Sequence, residues 1–135
     1  MRYVVDTNVL LAAFSRKSPC HWIWESLLAR EFILCVTTDI LDEYAEQFEW
    51  FYSPTTSDYV MQTLENLLNI EFITYYYRWQ LITADPDDDK FVDCAIAANT
   101  QFVVSEDGHF KVLKKIAFPK IEVLRINDFK KALNK

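Results

Sequence analysis

Tyr3-Val4-Val5-Asp6-Thr7-Asn8-Val9-Leu10-Leu11-Ala12-Ala13-Phe14 begins almost at the first residue of the chain. Tyr3 to Val5 is an uninterrupted apolar run, the pattern of a strand buried on both faces. Three polar residues, Asp6-Thr7-Asn8, break it. Val9, Leu10, Ala12, Ala13 and Phe14 then continue at helical spacing. A strand running directly into a helix is the first half of a βαβ unit, so the fold depends on whether the alternation continues.

It does. Pro19 suits the first turn of a second helix carrying Trp22, Ile23, Leu27 and Leu28. Phe32 to Val36 reads as a second strand, and Asp39 to about Phe48 as a helix with Ile40, Leu41, Tyr44 and Phe48 on one stripe. After Pro54, the polar residues Thr55, Thr56, Ser57 and Asp58 cap a helix with Val60, Met61, Leu64, Leu67 and Leu68 as its apolar positions. Glu71 to Tyr75 is a third strand. The loop Asp85-Pro86-Asp87-Asp88-Asp89 runs into an almost wholly apolar helix from Lys90 to about Asn99. Phe102 to Val104 is a fourth strand, broken by Ser105-Glu106-Asp107-Gly108, and a short amphipathic piece follows through Leu113. Glu122 to Leu124 is a fifth strand, with a last helix from near Asn127. This alternation predicts an α/β three-layer sandwich with a mainly parallel five-stranded sheet, in one domain spanning residues 1–135.

Composition narrows the class. Half of the chain is apolar and 16% aromatic, enough for a real core, and a single Gly argues against a loop-rich or disordered chain. No apolar stretch approaches the roughly 20 residues of a membrane span, and the N-terminus lacks a signal peptide's apolar region, so a cytoplasmic protein is expected. Cys20, Cys35 and Cys94 are scattered and form no Cys-x-x-Cys pair, which excludes a zinc ribbon; Cys35 and Cys94 read as buried thiols. The net charge of −6 is unusual for a nucleic-acid binder. If Asp6, Glu43, Asp87, Asp88, Asp89, Asp93, Glu106 and Asp107 gather around divalent metal, however, the rest of the surface is mildly basic.

Several acids fall where such a gathering is possible. Ligands in an open α/β sheet bind beyond the C-terminal strand ends. Asp6 follows the first strand and Asp107 comes shortly after the fourth, so both reach the same edge of the sheet. Asp93 interrupts a helix that should be buried nearly all round, where a lone carboxylate is costly unless paired, protonated or bound to metal. Asp89, four residues earlier, shares its side of the helix. Glu43 flanks the stripe of its own helix, at the border between core and cleft. Simpler roles exist for each. Asp87, Asp88 and Asp89 can serve a helix N-terminus. Asp6 and Asp107 can be caps, Asp93 can belong to a buried salt bridge, and helix-surface glutamates like Glu43 are common. All four of Asp6, Glu43, Asp93 and Asp107 having only such roles is much less probable than any one. Oxygen-rich clusters without Cys or paired His favour Mg²⁺ or Mn²⁺. His21 reads as structural, whereas His109 lies near Asp107 and can contact metal, phosphate or solvent.

Four segments together resemble the PIN-domain family: Val-Val-Asp-Thr-Asn-Val-Leu at 4–10, Thr-Thr-Asp-Ile-Leu-Asp-Glu-Tyr at 37–44, Asp-Cys-Ala-Ile-Ala-Ala at 93–98 and Val-Val-Ser-Glu-Asp-Gly-His-Phe at 103–110. Each is weak alone, but the ordered set is specific. The run from Asp85 to Cys94 further resembles a prokaryotic branch described as toxins of toxin–antitoxin pairs. The resemblance implies a metal-dependent endoribonuclease. Asp6, Glu43, Asp93 and Asp107 match the family's acidic positions, and Thr7, Asn8 and Ser105 its polar supporting positions. Many members carry a second acid where His109 stands, which leaves the outer metal position open; Asp89 is a candidate to compensate. The metal set is then Asp6, Asp93, Asp107 and Asp89, with His109 supporting.

The mechanism expected of such a site is in-line attack of a metal-activated water on an RNA phosphodiester. Loss of the charge on Asp6 or Asp93 is expected to abolish it. Arg16, Lys17, Arg78 and Lys111 are candidate phosphate contacts, with Lys114 and Lys115. Trp22, Trp24, Tyr76, Tyr77 and Trp79 can stack on bases or line a core or a homodimer interface. The partners implied are single-stranded or structured RNA, an antitoxin protein and a second copy of the chain. Two other functional classes stand beside this one. A phosphotransfer or phosphatase domain wants paired acids after strand one, where this chain has Asp6-Thr7-Asn8. A catalytically inactive PIN-like binding module keeps the fold without the chemistry.

Overall fold

The opening apolar run forms β1 (Arg2–Val5), the central strand of a five-stranded sheet. The computed structural model describes residues 1–75, 77–82 and 86–135. After β1 come α1 (Thr7–Phe14), α2 (His21–Leu28), β2 (Ile33–Val36), α3 (Thr38–Phe51), α4 (Pro54–Asn66) and β3 (Ile70–Phe72). A 3₁₀ turn at Pro86–Asp88 leads into α5 (Asp89–Ala97) and β4 (Phe102–Val104). A 3₁₀ segment at Gly108–Lys115, β5 (Glu122–Leu124) and α6 (Ile126–Ala132) complete the described chain. The strand order is β3-β2-β1-β4-β5, and every neighbouring pair is parallel. The expected α/β alternation is therefore present, and the sheet is parallel throughout rather than mainly so.

Val4, Val5, Leu34, Cys35, Val36, Val103 and Val104 are fully buried, as parallel strands covered by helices must be. α5 packs on β1, β2 and β4, while α3 packs on α1, α4 and α5. The chain builds outward from β1 to β2 and β3, then returns to lay β4 on the other side of β1. Such a reversal leaves a crevice beyond the C-terminal ends of the two strands between which the winding changes direction. Here these are β1 and β4, aligned Val4 to Val103 and Val5 to Val104. Asp6 and Ser105, the next residues on each strand, share that rim.

The helix bearing Glu43 is anchored to the same rim. The Thr37 hydroxyl caps α3 by accepting the Ile40 N–H, and Ile40, Tyr44 and Phe48 bury its apolar stripe. Tyr44 Oη donates to the Val5 carbonyl at 2.5 Å, tying α3 to the residue before Asp6. Tyr44→Phe deletes the donor of this buried pair. We expect a loss of about 1–3 kcal/mol, seen as a lower urea midpoint with an unchanged slope. An unchanged midpoint would show that the bond contributes nothing.

Some boundaries differ from the sequence reading. β3 stops at Phe72, short of Tyr75, because its last partner is Val36 and β2 ends where Thr37 caps α3. Pro19 precedes α2 instead of lying in its first turn. α4 is capped by Ser53, whose hydroxyl accepts the Thr56 N–H, ahead of the predicted polar group at 55–58. Tyr76 and Asp85 lie outside the described residues. Cys20, Cys35 and Cys94 are buried free thiols. Among the described residues no helix is long and apolar enough to cross a membrane.

Candidate functional site

Asp6 is only 5% exposed. It sits at the cap position of α1, yet its side chain makes no capping bond. Ser105 Oγ instead donates to Asp6 Oδ2 at 2.8 Å, and the same hydroxyl oxygen accepts the Asp107 N–H at 3.0 Å. One serine thus orients the acid after β1 and the backbone of the acid after β4. Burial pushes the Asp6 carboxyl above the usual carboxylate range; the Ser105 hydroxyl opposes this, and nearby Asp107 and Glu43 reinforce it. Among the described residues no cationic side chain pairs with Asp6.

Asp107 does cap the following 3₁₀ segment, accepting the His109 N–H at 2.9 Å. His109 Nδ1 lies 3.4 Å from the same Asp107 oxygen and 3.3 Å from Asp88 Oδ2. The potential ligand atoms of Asp88, Asp107 and His109 all fall within 4.8 Å of one another, the one such set of three among the described residues. The sequence counted Asp88 among the acids able to gather around metal, but gave no reason to place it in the metal set ahead of its helix-start role. Asp88 is buried at the cap position of α5 without a capping side-chain bond. The run of three acids carries no signal for choosing among them. The 3₁₀ turn at Pro86–Asp88 makes the choice, setting Asp88 beside Asp107 and His109.

Glu43 is half-buried on α3. One of its oxygens accepts the Thr7 hydroxyl and the other lies 2.7 Å from Lys90 Nζ. Thr7, Glu43 and Lys90 therefore link α1, α3 and α5 around the crevice.

Asp89 and Asp93 take a different position. With Asp39, Asp42, Glu43, Glu46, Asp87, Arg78 and Lys90 they line a groove of about 540 Å³ between α3 and α5. Asp93 is 4% exposed, as its apolar helix required, and Asp93 Oδ1 accepts the Trp79 N–H at 3.0 Å. Asp89 Oδ1 accepts the Ile82 N–H at 2.8 Å. Both carboxylates thus pin the segment before α5, a role that sequence spacing did not offer. Burial pushes the Asp93 carboxyl up; the Trp79 amide opposes this, Asp89 reinforces it and Arg78 opposes it.

The supporting residues divide. Thr7 and Ser105 are buried and bonded to acids, whereas Asn8 is exposed and lines a second cleft of about 300 Å³ with Asp6, Asp107, Glu106, Val9, Ala12 and Ile126. Glu106 pairs with Arg125 at 2.6 Å, so its charge is met by a cation on the same side of the cleft. Arg16, Lys17, Arg78 and Lys111 are exposed. Of these, Arg78 borders the acidic groove, while Arg16 borders a hollow with Phe14, Tyr52 and Tyr59 beyond the far end of α1. Trp24 is buried, and the half-buried Trp22 packs its ring 5.6 Å from Phe129. Tyr77 is exposed and meets Trp79 edge-on at 4.8 Å.

A family model described as PIN domain matches residues 2–109. The chain belongs to the PIN domain family. The match takes in Asp6, Glu43, Asp88, Asp93, Asp107 and His109, and it sets aside the phosphotransfer reading. Curated protein sequences give no match. Solved structures share the PIN fold at low identity. VapBC2 from Rickettsia felis, bound to a DNA fragment from its promoter, has a TM-score of 0.64 at 18% identity, with 93% of this chain and 98% of that chain covered. VapBC-1 from nontypeable Haemophilus influenzae gives 0.61 at 10% identity, covering 94% and 99%. The PIN domain endonuclease Utp24 gives 0.54 at 15% identity, covering 92% and 84%.

Proposed function

We propose that this single PIN domain is a metal-dependent endoribonuclease using Mg²⁺ or Mn²⁺, and that it is the toxin of a toxin–antitoxin pair. The observation that carries the reading is the acidic β1–β4 crevice, where Ser105 joins the Asp6 carboxylate to the Asp107 amide and Asp107 in turn gathers with Asp88 and His109. The donors fit a hard cation. Asp6 is buried among acids without a cationic partner in the described chain, and Asp88, Asp107 and His109 offer two carboxylates and an imidazole at close quarters. Asp88, Asp107 and His109 would hold the ion, with the Asp6 carboxylate close to Asp107.

Bound there, the cation supplies positive charge against the phosphate and acidity to an attacking water. The chain's own residues do the rest. Ser105 fixes the orientation of Asp6 through Oδ2 and of Asp107 through its amide. Asp6, Asn8 and Asp107 wall one side of the smaller cleft, and Val9, Ala12 and Ile126 give it apolar surface, a combination suited to an ester flanked by a base or ribose. Thr7 and Lys90 hold Glu43 in one orientation beside the acids. Arg78, at the border of the larger groove, is placed to meet strand phosphate. The acids repel a polyanion when no cation is present, so chelation should abolish cleavage.

Asp93 and Asp89 keep a place in this proposal as neighbours that shape the site. Asparagine at 93 retains an acceptor for the Trp79 amide and removes the charge. Asp93→Asn should lower cleavage about 10–100-fold, the usual cost of altering groups just outside a metal's ligands, with an unchanged melting temperature. This is smaller than the complete loss suggested by the sequence. A wild-type rate in Asp93→Asn would remove it from the site.

The VapBC neighbours support an antitoxin partner and a dimeric assembly, and the exposed Trp50, Phe51 and Tyr59 on α3 and α4 offer apolar surface for one. A cytoplasmic location follows from that role. The functional test is incubation of a mixed RNA pool with Mn²⁺, followed by sequencing of the ends. Discrete cut sites that vanish with chelator are expected. Intact RNA at every Mn²⁺ concentration would leave the inactive binding module as the better reading.

A further inference from the structure

We propose that the Lys90 ammonium occupies the second cation position of this site, so that the protein works with one divalent ion and one built-in positive charge. The inference rests on the metal-dependent reading above and concerns how many ions that site takes. Two-metal nuclease sites hold their ions about 3.5–4 Å apart, with carboxylates spread around both. Here the acids fall into two groups. Asp88 and Asp107 converge with His109. Glu43 stands outside that set, with one oxygen on Lys90 Nζ at 2.7 Å and the other on the Thr7 hydroxyl. Asp6, the cap residue of α1 directly before Thr7, lies between the two groups, close to Asp107 on one side and Glu43 on the other.

Lys90 is well placed to act as an ion. Its side chain is 18% exposed and that of Glu43 25%, so the pair is largely withdrawn from water and neither charge is cheap without the other. The groove that Lys90 lines carries Asp39, Asp42, Glu46, Asp87, Asp89 and Asp93 as well, with Arg78 the other base. A lysine ammonium is a compact point charge on a flexible stem, closer to a metal ion in shape than a planar guanidinium. Deleting it removes the cation paired with Glu43 and leaves Arg78 as the one base lining an otherwise acidic groove, a deficit of positive charge that a divalent cation would fill. A lysine that only stapled α5 to α3 would not alter ion stoichiometry when replaced.

The experiment counts Mn²⁺ bound to the free protein by calorimetry and by electron paramagnetic resonance, without RNA. Wild type should bind one Mn²⁺ per chain, Lys90→Met two, and Lys90→Arg one. Two ions on the wild-type protein, or one ion on a folded Lys90→Met, would overturn the proposal and leave the ribonuclease reading intact. If Lys90→Met does not fold by circular dichroism, Lys90→Gln is judged by the same counts. Failure of the wild type and every variant to bind Mn²⁺ would overturn both readings together.

Discussion

Asp6→Asn should reduce Mn²⁺- or Mg²⁺-dependent RNA cleavage by at least about 10²–10³-fold, the range seen when one charge-stabilising group is removed from an active site. The substitution is close to isosteric. Asparagine can still accept the Ser105 hydroxyl bond now made to Asp6 Oδ2, and it is a favoured residue at the helix cap position that Asp6 holds. What it removes is a buried negative charge flanked by Asp107 and Glu43. The fold should therefore persist, and the melting temperature in chelator should be no lower than that of the wild type. Cleavage of the RNA pool by Asp6→Asn at the wild-type rate would refute the assignment of Asp6. Equal loss of stability and activity would indicate a structural role instead.

Phe129→Ala should cost about 3–5 kcal/mol, a large part of the roughly 5–15 kcal/mol that holds a domain of this size together. Phe129 is fully buried and is the one buried residue of α6. Its ring meets Tyr3 at 4.8 Å, Phe32 at 5.1 Å edge-on and Trp22 at 5.6 Å. One side chain thus ties the last helix to β1, to the residue before β2 and to α2. Alanine would leave a cavity among rigid rings that cannot close around it. Urea unfolding measures the loss, and native-state hydrogen exchange should show α6 opening first. A loss below about 1 kcal/mol would mean that the aromatic cluster collapses onto the gap, against its apparent rigidity.

Much of the scaffold was legible because local signals were strong. β4 and β5 match the sequence reading to the residue, since polar or proline-containing segments bound each short apolar run. β3 was over-extended because its length depends on where β2 ends, a tertiary fact. For the site, the positions of Asp6, Ser105 and Asp107 followed from their place after two strands, and the β1–β4 register then joined them. The burial of Asp93 was also legible in the apolar helix around it. Its partner was not, because the Trp79 amide comes from an irregular segment 14 residues away. Nor could the sequence distinguish Asp88 from Asp89, since one turn of 3₁₀ geometry decides which of them meets Asp107. The pairing of Glu43 with Lys90 and Thr7 requires three helices to be placed at once.

The most direct test of the whole account is the anomalous scattering of Mn²⁺ in crystals of the wild-type protein soaked with the ion. A single strong peak is expected at the β1–β4 crevice, on Asp88, Asp107 and His109 close to Asp6, with Lys90 still on Glu43. A peak in the α3–α5 groove at Asp89 and Asp93 instead, or no peak at saturating Mn²⁺, would contradict it.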